Sequence, residues 1–269
     1  MTSTTKEVAT EILPYIRVYK DGSMERIKST LIVPPSPDQD SDTGVSSKDI
    51  TISENPSISA HLYLPKLTAH NQNQKLPILV YFHGGGFFFE STFSSLYHRY
   101  LNNLVSQVHV LAISVEYRLA PEHLLPAAHE DCLPVLQWVA PQSAGNDKET
   151  WLINNESKEG HNKSRQCLVW NFVYASATGG IDNPVVNPEG TGAPSLRGLG
   201  CNRMLVRVAG NDQLRDRGIW YFDMVRKSGW KGEVELFEVE GEDHVFHIHN
   251  IETENAKAMV KRLASFIFK

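Results

Sequence analysis

Several common structural devices are missing from this chain. Its 269 residues include three cysteines, Cys132, Cys167 and Cys201, far apart and odd in number. No Cys-x-x-Cys pair occurs, so neither a disulfide framework nor a zinc site has a basis. Reduced thiols point to a cytoplasmic protein, with the nucleus as a further location. No stretch approaches the ~20 apolar residues of a membrane helix. Met1 to Lys20 carries Lys6, Glu7 and Glu11 around no apolar core, so no signal peptide is expected. Excess basic charge is missing too. Lys and Arg number 26 against 31 Asp and Glu, a net charge of −5, and they are scattered. Neither a nucleic acid nor an anionic membrane is an expected partner. No internal repeat is visible, and nothing in the sequence specifies an oligomeric state.

What is present is an ordinary globular composition, 41% hydrophobic and 21% charged, which excludes wholesale disorder. The length fits one large α/β domain spanning residues 1–269. Residues 1–47 form an N-terminal segment and loop. It has a loose start, a hairpin of Tyr15–Lys20 and Glu25–Leu31 about Asp21-Gly22-Ser23, and a polar loop over 34–47. Asp49–Ser53 and Ile58–Leu64 read as short strands, and residues 65–77 as polar loop. Pro77–His83 is a continuous apolar run suited to a strand buried on both faces. Residues 94–107 then have helical periodicity, Val108–Val115 reads as a second buried strand, and 127–139 as a helix. Pro134 should kink that helix or mark its start. The rhythm resumes with a strand at Arg203–Ala209, a helix at Gln213–Lys227 closed by Gly229, a strand at Glu233–Val239 and a helix over 252–267. Strand, helix, strand, helix implies an α/β fold with a mostly parallel central sheet flanked by helices. Residues 140–202 break the pattern, which is unusual inside a compact domain. Within them, Gln166–Tyr174 is apolar but periodicity does not assign it.

Two constellations carry chemistry. His83-Gly84-Gly85-Gly86-Phe87 follows a buried strand. Three glycines let the backbone turn sharply and aim N–H groups into one space, where they can hold an oxyanion. Asp212 lies just past the strand 203–209 and His244 just past the strand 233–239. Both therefore sit at the C-terminal sheet edge, where α/β proteins collect ligands. A carboxylate and an imidazole on adjacent loops can form the orienter and base that activate a nucleophile. Spacing alone leaves open that Asp212 or Asp216 caps the helix at 213 and that His244 is a plain loop histidine. Glu116 to His123 reads on physics alone as a polar loop after a strand. His247 and His249 form a His-x-His pair with no third ligand implied, so a helix or loop face is favoured over metal.

These residues sit in longer motifs: HGGGF at 83–87, EYRLAPEH at 116–123, PAAHEDC at 126–132, GGIDNPVVNP at 179–188, APSLRGLGCNRMLV at 193–206, then AGNDQLRDRG and GEDHVFHI. From residue 11 to its end the chain resembles the plant carboxylesterase-like branch of the α/β-hydrolase family. That branch includes plant carboxylesterases, 2-hydroxyisoflavanone dehydratases and gibberellin receptors. The resemblance implies an α/β-hydrolase fold, with Gly85 and Gly86 as oxyanion-hole donors supported by His83 and Gly84. It makes Asp212 the triad acid and His244 the triad base. It implies no metal or organic cofactor, and a small ester or plant metabolite as the ligand.

One element of the family pattern has no counterpart. The nucleophile belongs on a G-x-S-x-G elbow between PAAHEDC and GGIDNP, and no G-x-S-x-G occurs. The pattern stops after Trp151-Leu152 and returns near Leu168-Val169-Trp170. The missing piece amounts to about two central βα units, roughly 60 residues. Ser176 is the nearest lookalike, but Gly179, Gly180 and Pro184 deny it the helix an elbow needs. The expectation is a carboxylesterase-like hydrolase impaired by the absent serine. The alternatives are a non-catalytic, receptor-like binding protein and a truncated inactive splice product. The sheet would close if the strand 203–209 moved beside the strand 77–83, or if Gln166–Tyr174 filled part of the gap.

Overall fold

The computed structural model of the chain describes residues 6–68, 75–143 and 165–269. The break in the family pattern at Trp151-Leu152 lies outside the described residues, as does part of the expected loop 65–77 and of the irregular segment 140–202.

Three strands open the chain: β1 (Val8–Ile12), β2 (Ile16–Tyr19) and β3 (Met24–Arg26), paired antiparallel in that order. The expected hairpin is β2–β3. β1 falls in the segment expected to be loose; only its Ile12 is buried, so no alternation marked it. The main sheet has the order β4 (Ser46–Glu54), β5 (Ser57–Leu64), β7 (Leu111–Glu116), β6 (Ile78–Phe82). Its pairings are mixed: β4–β5 and β5–β7 are antiparallel, whereas β6–β7 is parallel. β8 (Arg203–Ala209) and β9 (Glu233–Val239) form a separate parallel pair. Among the described residues, β8 is not hydrogen-bonded to β6. The expected closure of the sheet therefore does not occur. Gln166–Tyr174 does not fill the gap as a strand either, because it belongs to helix α3 (Arg165–Val173).

The helices follow apolar spacing. In α1 (Ser95–Val108), Tyr97, Tyr100, Leu101, Leu104, Val105 and Val108 are buried on one face. Ser94 caps it by accepting the Tyr97 N–H, and His109 ends it in the left-handed conformation at φ 56°. Val108 thus ends a helix rather than starting a strand; an apolar residue at such a junction suits either element. Pro134 neither starts nor stops α2 (Ala127–Ser143).

Side chains join the two sheets. Tyr97, Tyr100, Leu101 and Leu104 of α1 pack with Ile248 of α5 (Phe246–His249) and with Val260 and Leu263 of α6 (Glu254–Ile267). Each fully buried leucine contributes about 1.5–3 kcal/mol. On the opposite face, Val135 and Val139 of α2 cover Ile58, Val80 and Ile113. α4 (Arg215–Lys227) packs so closely on β8 that a Cβ on Gly218 would lie 2.4 Å from Val208 Cγ1.

Two imidazoles are buried within this framework. Burial pushes His83 down to about 4, against a smaller upward pull from the Gly84 backbone. Burial, with a smaller contribution from the charge of His98, pushes His61 down to about 4. Asp49 Oδ1 lies 2.9 Å from His61 Nδ1, yet neither nitrogen of that ring makes an aligned hydrogen bond. Burial also raises the Asp49 carboxyl, against an opposing effect of the His98 charge.

Two predictions follow from this packing. Gly218→Ala should destabilise the protein by about 1–3 kcal/mol through overpacking, outweighing its gain in helix propensity, as read by urea denaturation. A histidine held below its unfolded value binds fewer protons when folded. Its contribution is complete above pH ~6.5 and is lost as pH falls towards 4. Stability should drop across that window by at most about 3 kcal/mol for each of the two imidazoles. A flat denaturation midpoint between pH 7.5 and 4.5 would contradict this.

Candidate active site

Asp212 and His244 meet. The turn after β8 and the turn after β9 are stitched together, with Asn211 N donating to Glu242 O (2.9 Å) and Asn211 Nδ2 to Gly241 O (3.0 Å). That places His244 Nδ1 2.8 Å from Asp212 Oδ2. The other carboxylate oxygen, Oδ1, accepts the Leu214 N–H at 2.8 Å at the entry to α4. Asp212 thus meets the imidazole with one oxygen and the backbone leading into α4 with the other, while α4 itself has no side-chain N-cap hydrogen bond. Burial pushes the Asp212 carboxyl up, but the His244 hydrogen bond, the Leu214 amide and the charge of His244 outweigh it and hold the group below its usual range. Asp216 is exposed and paired with Arg215 instead.

His244 itself is 59% exposed in its side chain. Among the described residues its one hydrogen bond is to Asp212, and no hydroxyl or thiol meets it. Ser176 is exposed and follows the end of α3, not a strand, so it occupies no elbow. His247 sits edge-on to Tyr100 and to Phe246, each at 5.4 Å, while His249 is exposed. Two residues apart on a helix, they leave on opposite sides. Among the described residues no group of three or more His, Cys, Asp or Glu is placed to hold a metal ion.

The glycine-rich loop leaves β6 at a fixed angle. Gly85 adopts φ 118°, and a Cβ there would lie 1.9 Å from Phe89 O, so only glycine fits. Its carbonyl accepts Phe88 N and Phe89 N at 3.3 and 3.0 Å. The amides of Gly85 and Gly86 have no acceptor among the described residues. Two tyrosines hold the loop from below. Tyr97 Oη of α1 accepts the Gly84 N–H at 2.9 Å. Tyr117 Oη donates to His83 O at 2.5 Å, and its ring stacks on the His83 ring at 4.3 Å. Glu116 accepts Thr92 N and Ser91 Oγ and lies 3.7 Å from His83 Nε2, and burial raises its carboxyl. The segment from Glu116 is thus a support for the glycine loop, a role its sequence alone did not disclose. From above, Trp170 and Val173 of α3 pack with Phe88, Phe89 and Tyr117. No hydrogen bond or ring contact joins the glycine loop directly to His244 among the described residues.

Comparison with known proteins matches this architecture. A family model described as the alpha/beta hydrolase fold matches residues 79–169 and 145–248, two segments that overlap at 145–169. The 2-hydroxyisoflavanone dehydratase of Glycyrrhiza echinata is 48% identical, covering 99% of this chain and 98% of its own. The protein of that name from Glycine max is 43% identical over 97% of this chain and 99% of its own. Probable carboxylesterase 2 of Arabidopsis thaliana is 37% identical over 99% and 98%. The Glycyrrhiza alignment runs over 324 positions, so at least 324 − 269 = 55 of them have no residue in this chain. Among solved structures, a thermostable esterase from Pseudomonas putida aligns with a TM-score of 0.66 and 22% identity, covering 84% of this chain and 83% of its own, a likeness of fold. The chain belongs to the α/β-hydrolase family, in its plant carboxylesterase-like branch.

Proposed function

We propose that this chain is a carboxylesterase-like hydrolase that has lost its nucleophile and kept the acid–base half of its site. The observation that carries the reading is the Asp212–His244 pair, joined at 2.8 Å with no hydroxyl or thiol on the imidazole. The 55 or more unmatched positions and the family match in two segments, overlapping at 145–169, support a lost internal segment where the elbow would fall. In this reading His244 is the base, Asp212 its orienter, and the amides of Gly85 and Gly86 are the oxyanion donors. His83 and Gly84 shape that loop. The ligand is a small ester or plant metabolite, and no cofactor is needed.

Without an elbow serine no acyl-enzyme forms by the usual route. The residue after the nucleophile normally supplies one oxyanion N–H, so that donor goes too, a loss of about 10²–10³ in rate on its own. The remaining donors and binding can retain about 10³–10⁴ over water. A second reading is favoured by the dehydratase names of two relatives. Proton abstraction requires no covalent intermediate, so the unpartnered Nε2 of His244 could take a proton from substrate while Nδ1–H stays on Asp212. Receptor-like binding without turnover, or an inactive shortened product, are the remaining possibilities.

Three measurements separate these. A serine-directed fluorophosphonate should not label the protein, and labelling would overturn the proposal. Turnover of p-nitrophenyl acetate should be absent or weak, and His244→Ala should abolish whatever remains. Dehydration of a 2-hydroxyisoflavanone that is lost in His244→Ala would establish the proton-transfer reading, and saturable binding without turnover the receptor-like one.

A further inference from the structure

The site falls into two parts carried by sheets that share no β-ladder among the described residues, and α1 touches both. Tyr97 holds the Gly84 amide. Two residues on, Arg99 reaches 150 positions along the chain. Its Nη2 donates to His249 O at 2.8 Å and lies 3.5 Å from Ile248 O. Those carbonyls are the last of α5, a helix of four residues whose end has no intrahelical partners for them. A guanidinium there satisfies them and complements the negative end of the helix.

The residue after His244 is the N-cap of α5. Val245 stands at φ 51° and ψ 27°, a left-handed conformation that is strained for a β-branched side chain. Such a conformation persists only where its surroundings over-determine it. Its side chain packs against the α1 cluster, and its carbonyl accepts the Ile248 and His249 amides at 2.9 and 3.3 Å. Tyr100, beside Arg99, meets the His247 ring. α5 is thus held at its far end by Arg99 and along its side by Tyr100, and Val245 is where its orientation passes to the imidazole.

We propose that Arg99 is a positioning residue for His244: by closing the C-terminal end of α5 it fixes the Val245 turn and so the aim of the imidazole at Asp212. This goes beyond the functional reading above and needs no turnover to be tested. The competing explanation is that the Asn211 stitches position His244 unaided.

The test is proton NMR of the full chain labelled with ¹⁵N-histidine. The His244 Nδ1 proton should appear downfield, and it should vanish in Asp212→Asn. In Arg99→Ala its exchange with water should accelerate about two- to fivefold, the range a cation at a helix end commands. Arg99→Lys, which keeps a cation able to reach the carbonyls, should restore it. Tyr97→Phe, which releases Gly84 but keeps Arg99, should leave it unchanged. Unaltered exchange in Arg99→Ala overturns the proposal, and so does an equal effect from Tyr97→Phe, which would mean general loosening of α1. If Arg99→Ala fails to fold, Arg99→Gln is read in its place with the same two outcomes.

Discussion

A β-sheet normally carries its own continuity, because each strand's backbone satisfies the next. Among the described residues that continuity stops at β6 on one side and at β8 on the other. The work of holding the two parts together passes to the apolar face of α1, whose tyrosines and leucines meet α5 and α6. Apolar packing is non-directional, so it can join two sheets that share no hydrogen-bonded ladder. Directional contacts such as Arg99 on the α5 carbonyls then add what packing leaves unspecified, the orientation of one part against the other.

The parts most legible in the sequence were those whose pattern admitted one answer. β8 and β9 were placed residue for residue, because each β-branched and apolar segment is flanked by Gly, Asn or Glu. Asp212 and His244 were found for the same reason: in a parallel pair both strand ends fall on one edge. Where local chemistry suited two elements, the reading went astray. Val108 is as apolar as a strand start but ends a helix, and only the left-handed His109 decides it. Gln166–Tyr174 carries no period; all but its last residue lies in helix α3, which packs in one cluster with Phe88 and Phe89 of the glycine loop. Long-range supports left almost no trace. Tyr117 was visible as part of a motif with no assigned task, while Arg99 is separated from its acceptors by about 150 residues and no local pattern marks it.

Electrostatics explain why the Asp–His pair forms with no hydroxyl or thiol beside it among the described residues. The partly buried Asp212 remains well ionised because two donors, one backbone and one imidazole, reward its charge. Neither donor comes from the elbow. Both hydrogen bonds to Asp212 come from the turns that follow β8 and β9. The glycine loop takes its hydrogen-bonded supports, Tyr97, Tyr117 and Glu116, from α1 and from the end of β7.

In the proposed reading the elbow is the component that would depend on strands between the two halves. Its loss would delete the attacking hydroxyl and one oxyanion donor together, since both sit on the same turn. The effect on chemistry would then be far larger than the effect on the geometry of the two halves. An imidazole that retains its orienting carboxylate but faces water has no bound alcohol to deprotonate. What it can still do, in that reading, is accept a proton from a molecule delivered to it, so substrate positioning would decide whether any catalysis survives.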